Sequence, residues 1–250
     1  FFFIPFLLPS ERNSLINTHD ILEHENYKAL KEEKRKALEH RVKEQAEFNY
    51  PGEQTKKAGI NFPKPIDDFI NLLGDISREN HKLRDDDEKN EFQKLADEIE
   101  QSFFSEGKLH YTKSGLNKPD LKFKLKNKLE IDLYNASSSV RQLAPLLLYL
   151  RYRARKNDLL IIDEPELNLH PEAQAKLLEI FGILVNKGIN VLITTHSPFF
   201  MMHLNNLIEG NLNDEEILEE QAKLLYTKDK NAFIDENEVS AYEMRDEGKK

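Results

Sequence analysis

The chain has 250 residues, of which 39% are hydrophobic and 32% charged, with a formal net charge of −9 and no cysteine. That charge excludes a broadly basic surface, so nucleic acid would need a local patch, and the missing thiols exclude disulfides and thiolate metal sites and fit a reducing cytoplasm. No stretch reaches the roughly 18–20 apolar residues of a membrane span.

Residues 1–8 are apolar but short, are interrupted by Pro5 and lack the basic lead-in of a signal peptide; they predict a buried strand. The chain does not begin with Met, so Phe1 is expected to be internal to a longer protein. Residues 9–14 form a polar turn containing Arg12. Residues 20–48 then read as a long helix of mixed charge. Its narrow apolar stripe (Leu22, Tyr27, Leu30, Leu38, Val42) suggests a protruding arm. A loop with Pro51, Gly52, Gly59 and Pro63 leads to a second helix over 66–82, with Phe69, Ile70, Leu72, Leu73 and Ile76 inward. Asp85, Asp86 and Asp87 open a third helix over 88–104, where acidic residues suit the helix dipole; the run reads as a solvated helix start rather than a metal site.

Over 108–134 the period changes to two. Leu109, Tyr111, Leu121, Phe123, Leu125, Leu129, Ile131 and Leu133 alternate with polar residues, and Asn127 and Lys128 make the turn of a hairpin. Lysines 122, 124, 126 and 128 form the best basic patch of the chain, with Glu130 and Asp132 expected to neutralise it across the hairpin. Ser137, Ser138 and Ser139 precede an apolar helix over 143–153. Small hydroxyl residues there cap the first turn, and a helix start of this kind can also receive an anion.

Leu159, Leu160, Ile161 and Ile162 are a short continuous apolar run, the pattern of a strand buried on both faces, and they lead straight into Asp163 and Glu164. Pro165 stops the strand. Residues 171–187 have helical apolar spacing closed by Gly188, and 189–198 form a second buried-strand pattern that runs into His196. Strand, helix and strand with short joins make a βαβ unit, so both strand tips emerge on one edge and Asp163, Glu164 and His196 are expected to converge. Adjacent buried carboxylates need a compensating cation or protons, and a hard ion with oxygen ligands such as Mg²⁺ is the natural compensation. A helix over 198–207, an exposed acidic stretch over 214–220, and two strands at 222–226 and 238–244 complete the expected order.

With these residues in view, the chain resembles ABC-type ATPases of the branch that includes RecF, SMC and OLD-like proteins. The resemblance is specific over about residues 130–210. Residues 159–166 look like a Walker B motif. Leu169, His170 and Pro171 look like a D-loop, residues 194–198 like a switch-histidine segment, and Ser137 with its neighbours like the signature motif, with Ser138 and Ser139 in place of two glycines.

The implied fold class is α/β: a parallel-core P-loop ATPase sheet with a helical insertion and antiparallel flanking strands. The implied division is a core strand and turn over 1–18, a helical insertion over 19–107 and a C-terminal ATPase subdomain over 108–250. The implied cofactors are ATP and Mg²⁺. Asp163 would position the metal, Glu164 would activate water, and His196 would contact the γ-phosphate. Ser137, Ser138, Ser139, Arg141, Asn168 and His170 would serve nucleotide binding across a homodimer that sandwiches ATP. Arg12 would lie near the nucleotide edge. DNA and a nuclease or effector partner are the further partners the resemblance leaves open, with DNA repair or defence against foreign DNA as the process.

No G-x-x-x-x-G-K-[ST] phosphate loop occurs in the 250 residues. The expectation is therefore the C-terminal portion of an ATPase, inactive by itself, whose phosphate loop lies upstream. The alternatives are an incomplete relative acting as a dimerisation or scaffold module, and, less well matched, a transporter motor subunit.

Overall fold

The computed structural model describes residues 4–8, 72–73, 76, 87–104, 107–114, 118–211 and 215–244. Arg12, the helix expected over 20–48, the loop after it and most of the helix expected over 66–82 lie outside the described residues. Leu72, Leu73 and Ile76 are helical and buried, at 4%, 8% and 5% exposure.

Two sheets organise the chain. The first is parallel, in the order β1 (Ile4–Leu8), β5 (Asp158–Asp163) and β6 (Asn190–Thr194). Helix α3 (Pro171–Asn186) joins β5 to β6, giving the βαβ unit that the apolar spacing implies. It starts on Pro171, whose fixed φ suits the first helical position, and it ends where Gly188 takes φ +86°. The second sheet is antiparallel, built from β2 (Gly107–Ser114), β3 (Lys118–Leu125) and β4 (Glu130–Asp132). Lys124 lies 3.3 Å from Glu130 and Lys122 3.9 Å from Asp132, so cross-strand acids face two of the four lysines.

Helix α2 (Ser138–Tyr152) carries the first sheet's core. Phe6 stacks on Tyr149 with ring centroids 4.9 Å apart, and Phe6, Leu8, Leu160 and Ile162 are at most 2% exposed. Each such side chain contributes about 1.5–3 kcal/mol by leaving water. Helix α1 (Asp87–Phe103) packs on α2 and buries Phe92, Leu95, Ala96 and Ile99. Arg151 of α2 forks onto Asp97 at 2.7 Å and Glu100 at 2.6 Å, and Glu100 also accepts the Leu109 N–H at 2.6 Å, so one carboxylate ties α1, α2 and β2 together.

Three expectations need correction. Strands β5 and β6 are not buried on both faces among the described residues. The parallel register puts Leu7, Ile161 and Leu192 in one row; the first two are half-buried and Leu192 is 50% exposed. The helix after Pro198 runs further than expected: α4 is Pro198–Asn211.

The strands expected at 222–226 and 238–244 do not form. The chain instead makes helix α5 (Glu215–Ala222), then turns and two short 3₁₀ segments, Lys230–Ala232 and Glu236–Glu238. Leu224, Tyr242 and Met244 are 85–97% exposed, so their apolar character finds no sheet to join. The segment is fastened by polar groups: Asn186 Nδ2 donates to the carbonyls of Asn231 and Phe233, each at 2.8 Å, and Glu179 accepts the N–H groups of Tyr226 and Thr227.

Candidate functional site

The parallel register places Asp163, the last residue of β5, beside Thr194, the last of β6. Thr194 donates its hydroxyl to the Asp163 carboxylate, and the same oxygen accepts the Glu164 N–H at 3.2 Å. Glu164 begins the turn with φ +44°, a left-handed conformation that costs a non-glycine residue about 1–3 kcal/mol. Strain of this kind is tolerated where the surrounding structure over-determines it. Here Thr194 holds the amide, and Gln142 of α2 reaches the Glu164 and Pro165 carbonyls at 3.5 and 3.4 Å.

Past β6 the chain turns so that His196 Nε2 lies 3.5 Å from Glu164 Oε1. The histidine side chain is 89% exposed and that of Glu164 is 32% exposed. The structure thus brings Asp163, Glu164 and His196 to one edge of the sheet, on the tips of adjacent parallel strands. Open α/β sheets receive ligands at this edge.

The remaining candidates sit at the start of α2 and in the turn between β5 and α3. Ser137 is the N-cap of α2, its oxygen accepting the Val140 N–H at 3.4 Å, and Ser138 and Ser139 open the helix. Ser137 and Ser138 are exposed and Ser139 half-buried. The Nε of Arg141 is buried and has no hydrogen-bond partner among the described residues. Asn168 is exposed at φ +61°, a conformation asparagine tolerates, and His170 is the exposed N-cap of α3 without a side-chain capping bond.

Sequence reasoning missed four residues at this edge. Thr194 and Thr195 read only as part of the switch-histidine segment and Glu166 only as part of the Walker B-like run, with no role of their own. Yet Glu166 is buried at 8% exposure and accepts Thr195 Oγ1 at 2.6 Å and the His196 N–H at 3.1 Å. Gln174 of α3 donates to the Leu169 carbonyl at 3.0 Å and accepts the Ser197 hydroxyl at 2.7 Å. The one available signal was register: pairing β5 with β6 in parallel would have put Thr194 opposite Asp163.

The donor set suits a hard cation. Among the described residues no three His, Asp or Glu side chains cluster tightly enough to cage a metal. Mg²⁺ does not require such a cage, because it keeps several waters and binds through one or two carboxylates plus substrate phosphates. A half-exposed Asp163 oriented by a neighbouring hydroxyl fits that pattern.

A family model described as "AAA domain, putative AbiEii toxin, Type IV TA system" matches residues 7–202. No curated protein matches the chain. The match begins within β1 and spans β2 to β6, α2 and the whole acidic edge. No helix among the described residues is long and apolar enough to cross a membrane.

Proposed function

Because the chain belongs to this AAA-domain family of P-loop, ABC-like ATPases, we propose that it is the part of an ATP-hydrolysing switch that holds the metal and the attacking water. The observation that carries this reading is the joint placement of Asp163, Glu164 and His196, with Glu164 and His196 3.5 Å apart at the carboxyl edge of a parallel sheet.

Phosphoryl transfer demands little covalent chemistry from a protein; it demands positioning and charge stabilisation. In this role Asp163, oriented by the Thr194 hydroxyl, holds Mg²⁺ directly or through water. Bound there, Mg²⁺ would supply positive charge to offset what develops on the phosphate. Glu164 aligns the attacking water and accepts its proton. His196, exposed and beside Glu164, donates a hydrogen bond to the terminal phosphate. The Ser137 start of α2 offers hydroxyl and N–H groups to a phosphate held by a second copy, with Arg141, Asn168 and His170 flanking that contact, so the working unit is an ATP-sandwiched homodimer. No G-x-x-x-x-G-K-[ST] occurs within these 250 residues, so the β-phosphate is cradled by groups outside them and these residues alone turn ATP over negligibly.

Defence against foreign DNA is favoured over DNA repair as the setting, since the family description names an AbiEii-type toxin. A RecF, SMC or OLD-like relationship is favoured over a transporter motor by Leu169, His170 and Pro171 after the Walker B-like strand. DNA and an effector such as a nuclease are the partners proposed, in the cytoplasm. The second reading, a scaffold module that ignores nucleotide, draws on the missing phosphate loop.

The test is Mg²⁺-dependent ATP hydrolysis by the protein in its natural length, with and without Glu164→Gln. Turnover that falls by about 10²–10³-fold while ATP is still bound supports the reading. Turnover indifferent to Glu164→Gln overturns the catalytic assignment, and a dimer that never binds MgATP leaves the scaffold reading.

A further inference from the structure

Glu166 is the one carboxylate at the acidic edge to which the proposed reaction gives no task, and its surroundings are unusual. It is 8% exposed, Oε1 takes two donors, and Oε2 is buried without a hydrogen-bond partner among the described residues. Burying a carboxylate with one oxygen unserved is costly. What the other oxygen does must therefore matter.

Oε1 accepts the Thr195 hydroxyl at 2.6 Å and the backbone N–H of His196 at 3.1 Å. The imidazole of His196 is 89% exposed. Packing against so exposed a ring is slight, so its position is set mainly where its backbone is held. We propose that Glu166 is a positioning residue: its Oε1 anchors the His196 amide, and through it sets the imidazole beside Glu164.

Three successive residues leaving β6 are thereby latched to the acidic turn leaving β5. Thr194 bonds Asp163 and the Glu164 amide, Thr195 bonds Glu166, and the His196 amide bonds Glu166. Only the last of these fixes the histidine itself. The inference rests on the ATPase reading for its consequence, but the anchor is a property of the fold and can be tested apart from turnover.

The requirement is for an acceptor atom at the right reach, not for charge. Glu166→Gln keeps Oε1 and the side-chain length. Glu166→Asp keeps the charge but withdraws the oxygen by one methylene, and it serves as the second variant should Glu166→Ala fail to fold. The experiment measures amide hydrogen exchange at His196 together with kcat and KM for MgATP in the natural-length protein.

In Glu166→Ala and Glu166→Asp, exchange at His196 is expected to rise about tenfold with the amides of Leu160 and Ile162 unchanged, and kcat to fall about tenfold at constant KM. Glu166→Gln is expected to stay within about twofold on both readouts. The proposal is overturned if His196 exchange ignores Glu166→Asp, if Glu166→Gln is as damaging as Glu166→Ala, or if KM rises while kcat holds. Should the natural protein show no turnover, the ATPase reading fails, and the exchange result alone still decides whether Glu166 anchors His196.

Discussion

The Thr194 hydroxyl donates to the Asp163 carboxylate from the end of the neighbouring parallel strand, and its oxygen also accepts the Glu164 N–H at 3.2 Å. One hydroxyl therefore orients the proposed metal ligand and braces the left-handed residue that follows it. Thr194→Val removes the donor and acceptor while keeping the shape. It is expected to raise the Mg²⁺ concentration needed for half-maximal ATP turnover by about 10–100-fold, the usual penalty for losing an outer-shell partner. Thr194→Ser should restore most of it. A magnesium titration of the ATPase rate checks both.

The C-terminal segment is held by two glycine notches. A Cβ on Gly182 would lie 2.1 Å from the Ala232 carbonyl oxygen, and one on Gly210 would lie 2.2 Å from the Phe233 ring. Neither contact can be relieved by rotating a flexible side chain. Gly182→Ala and Gly210→Ala are each expected to destabilise the fold by about 1–3 kcal/mol. Gly188→Ala differs in kind, because there the cost comes from φ +86° and the nearest atoms are 3.6 Å away. Urea unfolding at constant m-value would measure all three.

Glu179 is fully buried in α3, with His203 Nε2 3.0 Å from Oε1 and the Thr227 N–H 2.8 Å from Oε2. Burial alone would push its carboxyl up. The hydrogen bonds from His203, Thr227 and Tyr226 outweigh burial and hold it below its ordinary value of 4.5. A carboxyl lowered in the folded state stabilises fully above its unfolded value and loses that contribution as pH falls through the folded one. Stability should thus be steady above about pH 5 and decline below it. Glu179→Gln should lower stability by about 2 kcal/mol at neutral pH and flatten that acid limb. Denaturant melts across the acid range would show it.

Among the described residues Arg151 is the only partner of Glu100 that carries an opposite charge, and both side chains are nearly buried, at 12% and 8% exposure. Arg151→Met would fill similar space but leave Glu100, among the described residues, with the Leu109 N–H alone. The expected cost is about 3 kcal/mol, the penalty for stranding a buried charge. Asp97, with its side chain 65% exposed, should matter little. Thermal unfolding of Arg151→Met beside Asp97→Asn separates the two contributions.

By itself the sequence determined the elements whose signal is local. The run from Leu159 to Ile162, the helical spacing over 171–187 and the alternation over 108–134 each repeat within a few residues, and each became the element it implied. The acidic pair and His196 were legible for the same reason, since strand ends and a right-handed βαβ crossover dictate where tips emerge. Only the tertiary structure decided the rest. Thr195 meets Glu166 across 29 positions and Thr227 meets Glu179 across 48, separations no periodicity encodes. The residues at 222–226 are apolar enough to suggest a strand, but a strand forms only where another offers its hydrogen bonds. Here Glu179, Asn186 and the notches at Gly182 and Gly210 hold the C-terminal segment against helices instead. Local pattern specifies what a segment can become, and the partners that packing brings to its backbone groups decide what it is.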